Sequence, residues 1–258
     1  MNYALCIMNY KLCIIKGGGA VVEDEAKLAA LLSEFSAISG PKMLVHGGGR
    51  SATHMAARLG IESKMVEGRR ITDTEMLKVV TMVYGGLVNK NIVARMQAQG
   101  INALGLTGAD MNVIRAHRRP VTNGIDYGFV GDVDSVDGES LAALLQRGIV
   151  PVMAPLTHDG EGNMLNTNAD TIASEVAKSL VGHYDVTLRS QFEKRGVLRD
   201  ADDPESLIEH ITPQSFGQLK KEGVVVGGMI PKIENALKAV EKGVARVFIG
   251  ETMISEEE

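Results

Sequence analysis

The stretch that decides the fold is Leu12-Cys13-Ile14-Ile15-Lys16-Gly17-Gly18-Gly19, an apolar run that ends abruptly at a lysine and three glycines. The β-branched pair Ile14-Ile15 favours a strand that is buried on both faces, and the run has no helical periodicity. Glycines let successive backbone N–H groups approach an anion, and Lys16 adds a positive charge. The pattern predicts a strand that leads into a phosphate-binding loop, with a plain turn as the alternative.

A second unit of the same kind follows the first. The predicted strand Lys42–His46 also ends at three glycines, Gly47–Gly49, and predicted helices at about 23–35 and 51–59 follow the two loops. Two successive strand-glycine-helix units predict a parallel sheet with both loops on one edge. Ligands of open α/β sheets bind at that edge.

Apolar periodicity predicts that helices and strands continue to alternate beyond these units. The predicted helices span residues 72–99, 140–147, 169–180, 212–222 and 231–242, and the predicted strands span 64–67, 102–106, 113–119, 126–134, 149–154, 185–188 and 245–250. Thr72-Asp73-Thr74-Glu75 is expected to form a capping box, and Gly85-Gly86 is expected to kink the long helix or permit close packing.

Composition narrows the class of protein. The chain has 258 residues, a net charge of −5 and no apolar run of membrane-spanning length, which speaks against nucleic-acid and membrane partners. Its two cysteines, Cys6 and Cys13, have no metal-binding spacing, and no export signal is present, so a cytoplasmic protein is expected. Residues 1–7 are nearly repeated from Met8 onward. We expect residues 1–9 to be a disordered extension and residues 10–258 to form a single domain.

Two polar clusters each allow two interpretations. Arg115, His117, Arg118 and Arg119 could form a nucleic-acid patch, but their alternation without aromatic residues favours a solvated or subunit-facing hairpin strand. The segment 158–163 has metal-ligand residue types, but its Asp-Gly and Glu-Gly pairs favour a hairpin turn, so no metal site is expected.

A lysine and an aspartate are placed at two further helix starts. Lys232 follows Gly227-Gly228 at the beginning of a helix, where the helix dipole disfavours a cation unless an anion is bound there as well. Asp170 follows the predicted N-cap Asn168. Capping alone explains Asn168, but the group can also receive an anion and position a lysine. Glycine loops, two lysines and no obvious nucleophile suit phosphoryl transfer, although the Walker and protein-kinase motifs are missing.

Five ordered motifs carry a resemblance to a known family. They are Ile14-Ile15-Lys16-Gly17-Gly18-Gly19, Val45-His46-Gly47-Gly48-Gly49, Gly68-Arg69-Arg70-Ile71-Thr72, Asn166-Thr167-Asn168-Ala169-Asp170 and Gly228-Met229-Ile230-Pro231-Lys232. In this order they resemble the amino acid kinase family, and within it the members that phosphorylate N-acetyl-L-glutamate. The resemblance spans residues 10 to about 250.

The resemblance implies a three-layer αβα sandwich with an open, mainly parallel sheet, in a protein that forms a homodimer. It implies an acyl-amino-acid-binding lobe at about 10–180 and a nucleotide-binding lobe at about 181–258. The implied enzyme transfers the γ-phosphoryl group of ATP, with Mg²⁺, to the side-chain carboxylate of N-acetyl-L-glutamate or a related N-acyl-L-glutamate such as N-succinyl-L-glutamate, in arginine biosynthesis.

The resemblance also implies roles for individual residues that match positions in the family's motifs. The resemblance implies that Lys16, Lys232 and Asp170 are catalytic, that Gly48, Gly49, Arg70 and Asn166 bind the substrate, and that Gly18, Gly19 and Gly228 bind phosphate or nucleotide. The chain departs from the family at residues 187–198, where the usual aspartate is missing, and at Gly17, where an apolar residue is usual.

Two other classes remain open. One is a catalytically weak sensor of the same fold, which would bind an acylated amino acid or a nucleotide without turnover. The other is a nicotinamide-dependent Rossmann enzyme, because Gly47-Gly48-Gly49-Arg50-Ser51-Ala52 fits G-x-G-x-x-A after a strand.

Overall fold

The computed structural model describes residues 10–66 and 69–257. The expected N-terminal extension, residues 1–9, lies outside the described residues, and so does Gly68 of the third motif.

Fourteen strands occur in the described residues. They are β1 (Tyr10–Gly17), β2 (Lys42–His46), β3 (Met65–Val66), β4 (Arg69–Arg70), β5 (Ala103–Leu106), β6 (Ile114–Arg118), β7 (Gly131–Val136), β8 (Val150–Met153), β9 (Leu156–His158), β10 (Met164–Asn166), β11 (Tyr184–Gln191), β12 (His210–Ile211), β13 (Arg246–Ile249) and β14 (Thr252–Ile254).

The helices of the same residues lie mostly between these strands. They are α1 (Gly19–Val22), α2 (Glu25–Ala37), α3 (Gly49–Arg58), α4 (Thr74–Val80), a π-helical segment (Thr81–Val88), α5 (Asn89–Ala98), a short 3₁₀ helix (Asp110–Asn112), α6 (Gly138–Gln146), α7 (Ala169–Leu180), α8 (Pro213–Lys221) and α9 (Met229–Glu241).

The central sheet has eight strands in the order β12-β14-β13-β11-β1-β2-β8-β5. Adjacent strands are parallel except for the antiparallel pair β13 and β14. The chain continues from β1 to β2 on one side and comes back to β11 on the other, so β1 lies at the point where the strand order reverses. Gly17 at its end pairs with His46 and Gln191, which places the ends of three strands at the ligand-binding edge.

Two hydrophobic cores lie on opposite faces of this sheet. Ile14 belongs to the core that includes α6, α7 and α9, and its neighbour Ile15 belongs to the core that includes α2, α3 and α5. Successive strand residues point to opposite faces, so this division shows a sheet that is covered by helices on both sides. The predicted three-layer αβα sandwich with a mainly parallel sheet is confirmed.

Three local predictions are wrong or incomplete. The N-cap of α4 is Asp73, whose carboxylate accepts a hydrogen bond from the Met76 amide, whereas Thr72 is buried outside the helix. Gly85-Gly86 lies in the π-helical segment, so the expected kink takes the form of widened helical turns. The strand predicted at 245–250 is followed by β14, which was not predicted and pairs with β13 in antiparallel orientation.

Both hairpin interpretations agree with the structure. β9 and β10 pair on either side of the segment 159–163, and no group of three metal-ligand side chains that could hold an ion occurs in residues 10–66 and 69–257. β6 and β7 also pair, and three of the four members of the basic cluster have carboxylate partners, in the pairs His117–Asp134, Arg118–Asp126 and Arg119–Asp132. In the same residues, no helix is long and apolar enough to cross a membrane.

Candidate active site

Lys16, Asp170 and Lys232 meet at the carboxyl edge of the sheet. The Nζ atoms of Lys16 and Lys232 lie 2.9 Å and 2.7 Å from the same oxygen, Oδ1 of Asp170. Lys16 comes from the end of β1, and the other two come from the first turns of α7 and α9. Asn168 fixes the start of α7, since its side chain accepts hydrogen bonds from the Asp170 and Thr171 amides, as the predicted N-cap should.

Burial and charge together set the ionisation of this cluster. Burial alone would raise the pKa of Asp170, but Lys16 and Lys232 outweigh it and lower the pKa to about 2. Burial lowers the pKa of Lys232 to about 8, although the Asp170 carboxylate opposes the shift. At neutral pH the cluster carries two positive charges and one negative charge. It is therefore a net cationic site in a chain whose net charge is −5.

The two glycine loops pack backbone against backbone. A Cβ atom on Gly47 would lie 2.7 Å from the Gly19 nitrogen, and a Cβ atom on Gly19 would lie 3.4 Å from the Gly49 nitrogen. Helices α1 and α3 begin at Gly19 and Gly49, and the first N–H groups of a helix have no acceptor within it. The close approach therefore groups backbone donors from both loops in a small region, and only glycine permits it.

One predicted phosphate ligand has a different partner. The Gly18 amide donates to the Gln191 carbonyl oxygen at 2.9 Å, so this N–H group holds β11 instead of facing an anion. Binding of phosphate or nucleotide at Gly18 stays a prediction, and its amide is engaged with β11 in this structure.

Arg70 is buried and is held by neutral oxygen atoms. Its guanidinium donates to the Gly49 carbonyl and to the hydroxyls of Thr53 and Ser63, at 2.8–2.9 Å. No carboxylate lies within 4 Å of Arg70 in the described part of the chain. A fixed, buried guanidinium without an anionic partner suits recognition of a ligand carboxylate.

A cavity of about 350 Å³ connects the predicted substrate residues. It is lined by Gly48, Gly49, Arg70, Asn166 and Gly228 among other residues. Asn166 is oriented by a hydrogen bond from its Nδ2 atom to the Thr72 hydroxyl, at 2.9 Å. Gly228, which is predicted to bind phosphate or nucleotide, lines the same cavity. A Cβ atom there would meet no atom within 4 Å, so the position needs no glycine for steric reasons.

A buried histidine and its partner escaped the sequence analysis. The Nδ1 atom of His46 lies 2.7 Å from the Gly47 carbonyl oxygen, and its Nε2 atom lies 3.1 Å from Nδ2 of Asn89. Burial lowers the pKa of His46 to about 4, so the ring is neutral, with Nδ1 donating and Nε2 accepting. A histidine inside an otherwise apolar strand just before three glycines was the available signal.

The segment that follows β11 also contributes groups that were not predicted. The Phe192 ring centroid lies 5.6 Å from Nζ of Lys232, and both Glu193 oxygens lie 3.3 Å from the Arg50 guanidinium. Residues 187–198 are where the chain departs from the family pattern, so no motif could identify these contacts. The position of Arg50, directly after a glycine loop, was the single clue.

Comparisons with a family model and with known proteins point to the same family. The amino acid kinase family model matches residues 11–251. The chain is 66% identical over 242 residues to acetylglutamate kinase from Bacteroides thetaiotaomicron, and 65% identical to acetylglutamate kinase from Phocaeicola vulgatus. Each alignment covers 94% of this chain and 94% of the relative.

Solved structures share the fold. The protein smu.665 from Streptococcus mutans has a TM-score of 0.82 and 28% identity, and the match covers 95% of this chain and 99% of that one.

Proposed function

The chain belongs to the amino acid kinase family, and from this membership we propose that it is an acetylglutamate kinase, which transfers the γ-phosphoryl group of ATP to the side-chain carboxylate of N-acetyl-L-glutamate. Relatives that are about 65% identical over almost the whole chain carry this name. The product is an acyl phosphate, and the place of the reaction is arginine biosynthesis.

One carboxylate oxygen of the substrate attacks the γ-phosphorus atom in the proposed step. The new O–P bond forms as the bond from the γ-phosphorus to the bridging oxygen breaks, and ADP leaves with that electron pair. A carboxylate is already ionised at neutral pH, so the step requires no general base. Lys16 and Lys232 would stabilise the charge that spreads over the transferring group, and Asp170 would hold both ammonium groups in place.

The residues at the site fit a nucleoside triphosphate. Two ammonium groups and the backbone donors near Gly19, Gly48 and Gly49 converge there, and this donor set binds phosphate oxygens. Mg²⁺ bound to the nucleotide would neutralise part of the phosphate charge. Because the described residues contain no carboxylate cluster for a metal ion, we propose that Mg²⁺ enters on ATP.

Arg70 and Asn166 would bind the acylated amino acid from two sides of the cavity. Arg70 would take the α-carboxylate, which its planar guanidinium can bind through two hydrogen bonds. Arg69 and Lys238 line the same cavity, and neither has a carboxylate within 4 Å in the described part of the chain. Arg69 also interacts electrostatically with the Asp132 carboxylate. The positive charge of Arg69 and Lys238 favours an additional negative charge on the acyl group, so N-succinyl-L-glutamate belongs in any substrate test.

The observation that carries the proposal is the shared oxygen of Asp170. Two lysines from distant parts of the chain are fixed on one carboxylate at the switch point of the sheet. The two ammonium groups can then bind the oxygens of a phosphate group that lies beside them.

Formation of the hydroxamate from the acyl phosphate tests the function directly. Purified protein is incubated with ATP, Mg²⁺, hydroxylamine and either N-acetyl- or N-succinyl-L-glutamate, and L-glutamate serves as the negative control. We expect ATP-dependent hydroxamate with at least one N-acyl substrate. Binding of both ligands without hydroxamate would support the sensor alternative instead. The comparisons favour neither that alternative nor the nicotinamide enzyme.

We propose in addition that the protein works in the cytoplasm as a homodimer with two lobes, at about 10–180 and 181–258. Light scattering on the purified chain would reveal twice the monomer mass if the assembly is dimeric. A monomeric mass at assay concentration would contradict this part of the proposal alone.

A further inference from the structure

The segment Gln191–Glu193 is tied to both glycine loops. The Gln191 carbonyl oxygen accepts a hydrogen bond of 2.9 Å from the Gly18 amide. The Glu193 carboxylate accepts two hydrogen bonds from the Arg50 guanidinium. Lys27 lies 3.8 Å from the same carboxylate. The residues on each side of Phe192 therefore contact the first glycine loop or the helices α2 and α3.

Phe192 lies between these two ties, and its ring faces Lys232. The distance from Nζ of Lys232 to the ring centroid is 5.6 Å, within the range of a cation–π contact. The ring is half-buried, and its Cβ atom lies 3.6 Å from the position that a Cβ atom on Gly18 would occupy. The Phe192 side chain thus begins beside the first glycine loop.

The carboxylate oxygen that binds the Lys232 ammonium group is one that Lys16 also contacts, so a second contact is required to fix the orientation of Lys232. Its ammonium group and that of Lys16 both lie against Oδ1 of Asp170. One shared oxygen fixes the distance of a flexible lysine but leaves its direction open. The Phe192 ring is a second contact of the same ammonium group.

We propose that Phe192 is a positioning residue that directs the Lys232 ammonium group toward the transferring phosphoryl group, and that the Arg50–Glu193 pair holds the ring in place. This inference rests on the proposed kinase function. Lys232 would act on the transferring group, so its misorientation should lower kcat and leave binding of the acylated amino acid intact.

Steady-state kinetics provide the first test. Phe192→Leu should lower kcat about 10-fold and change KM for N-acetyl-L-glutamate by less than about 2-fold, whereas Phe192→Tyr, which keeps the ring, should retain kcat within about 2-fold. Phe248→Leu is the matched control, because that ring has Arg189 at 5.5 Å and is not among the residues placed in the site. It should leave both constants unchanged.

A second measurement does not depend on activity. In protein labelled with ¹³C at lysine Cε, the Lys232 signal is identified by its absence in Lys232→Arg. Loss of the ring current in Phe192→Leu should move that signal, and Phe248→Leu should not. Glu193 is exposed, and Glu193→Gln should move the Lys232 signal in the same direction as Phe192→Leu does. Its effect on kcat should be smaller than that of Phe192→Leu.

Several outcomes would overturn the inference. They are an unchanged kcat in a folded Phe192→Leu protein, an unmoved Lys232 signal, or an increase in KM for ATP as the sole effect, which would assign the ring to nucleotide binding. If the wild-type protein turns over no N-acyl-L-glutamate, the proposed function fails. The lysine signal would then still decide whether Phe192 positions Lys232.

Discussion

The two glycine loops, Gly17–Gly19 and Gly47–Gly49, and the pair Gly227-Gly228 before α9 lie at one edge of the sheet, but their glycines serve different purposes. At Gly47 and Gly48 a Cβ atom would lie within 2.8 Å of the Gly19 nitrogen or the Tyr84 ring. At Gly228 a Cβ atom would meet nothing within 4 Å, and at Gly227 only the positive φ of 54° favours glycine. The same residue type thus marks close backbone packing in one region and local backbone geometry in the other.

The two lysines that link these regions should give the largest effect. Lys16→Ala or Lys232→Ala is expected to lower kcat by roughly 10² to 10⁴, or about 3 to 5 kcal/mol of transition-state stabilisation, because each removes a positive charge from the transferring group. The hydroxamate assay measures the loss, and Lys242→Ala, an exposed lysine just beyond α9, serves as the control. Near-normal turnover in both variants would refute their catalytic role.

The buried His46 at the end of β2 should make the stability of the protein fall in acid. Because burial lowers the pKa of His46 from 6.5 to about 4, the unfolded chain takes up a proton below pH 6.5 that the folded protein resists down to about pH 4. Stability should therefore fall across this window by up to about 3 kcal/mol.

Urea unfolding at several pH values tests this expectation. His46→Asn should show a shallower decline between pH 6.5 and pH 4 than the wild-type protein, whatever its stability at pH 7. Equal slopes for the two proteins would mean that the ring is not held neutral.

Alanine at two glycine positions compares the regions directly. Gly48→Ala would place a Cβ atom 2.8 Å from Cδ1 of Tyr84, so we expect a cost of about 1 to 3 kcal/mol in stability and a marked loss of activity. Gly228→Ala has room and a φ of −64°, and we expect a change in kcat/KM of less than about 3-fold. Thermal melts and the hydroxamate assay distinguish the two, and similar behaviour would remove the contrast.

The decrease in activity at alkaline pH should follow the deprotonation of Lys232. Its pKa of about 8 means that the ammonium group loses its proton as the pH rises through that value, so kcat/KM for ATP should fall about tenfold per pH unit above it. Lys232→Arg, measured in the same way, should keep its charge and show no such decrease near pH 8 even if its maximum is lower. A wild-type profile that stays flat to pH 10 would contradict the assignment.

The sequence predicted the parts that depend on local pattern. β1, β2 and α7 were expected at nearly their observed bounds, because apolar runs, glycines and the Asn168 cap signal them locally. The ordered motifs also indicated that Lys16, Asp170 and Lys232 come together, although spacing alone could not supply the shared oxygen.

The missed features depend on tertiary contacts. β12 and β14 have two and three residues, too few to show periodicity, and they form because they pair with each other at the edge of the sheet. The role of Lys42 was equally hidden, since its ammonium group caps α2 by donating to the carbonyls of Phe35, Ser36 and Ile38.

The shared carboxylate at Asp170 has a consequence for how the protein is made. Lys16 and Asp170 are synthesised before Lys232, which follows α8 in the chain. A nascent chain that stops short of α9 would hold Lys16 and Asp170 alone, an ion pair with no net charge. Competence for phosphate chemistry would then arrive late in translation, after most of the central sheet has been produced.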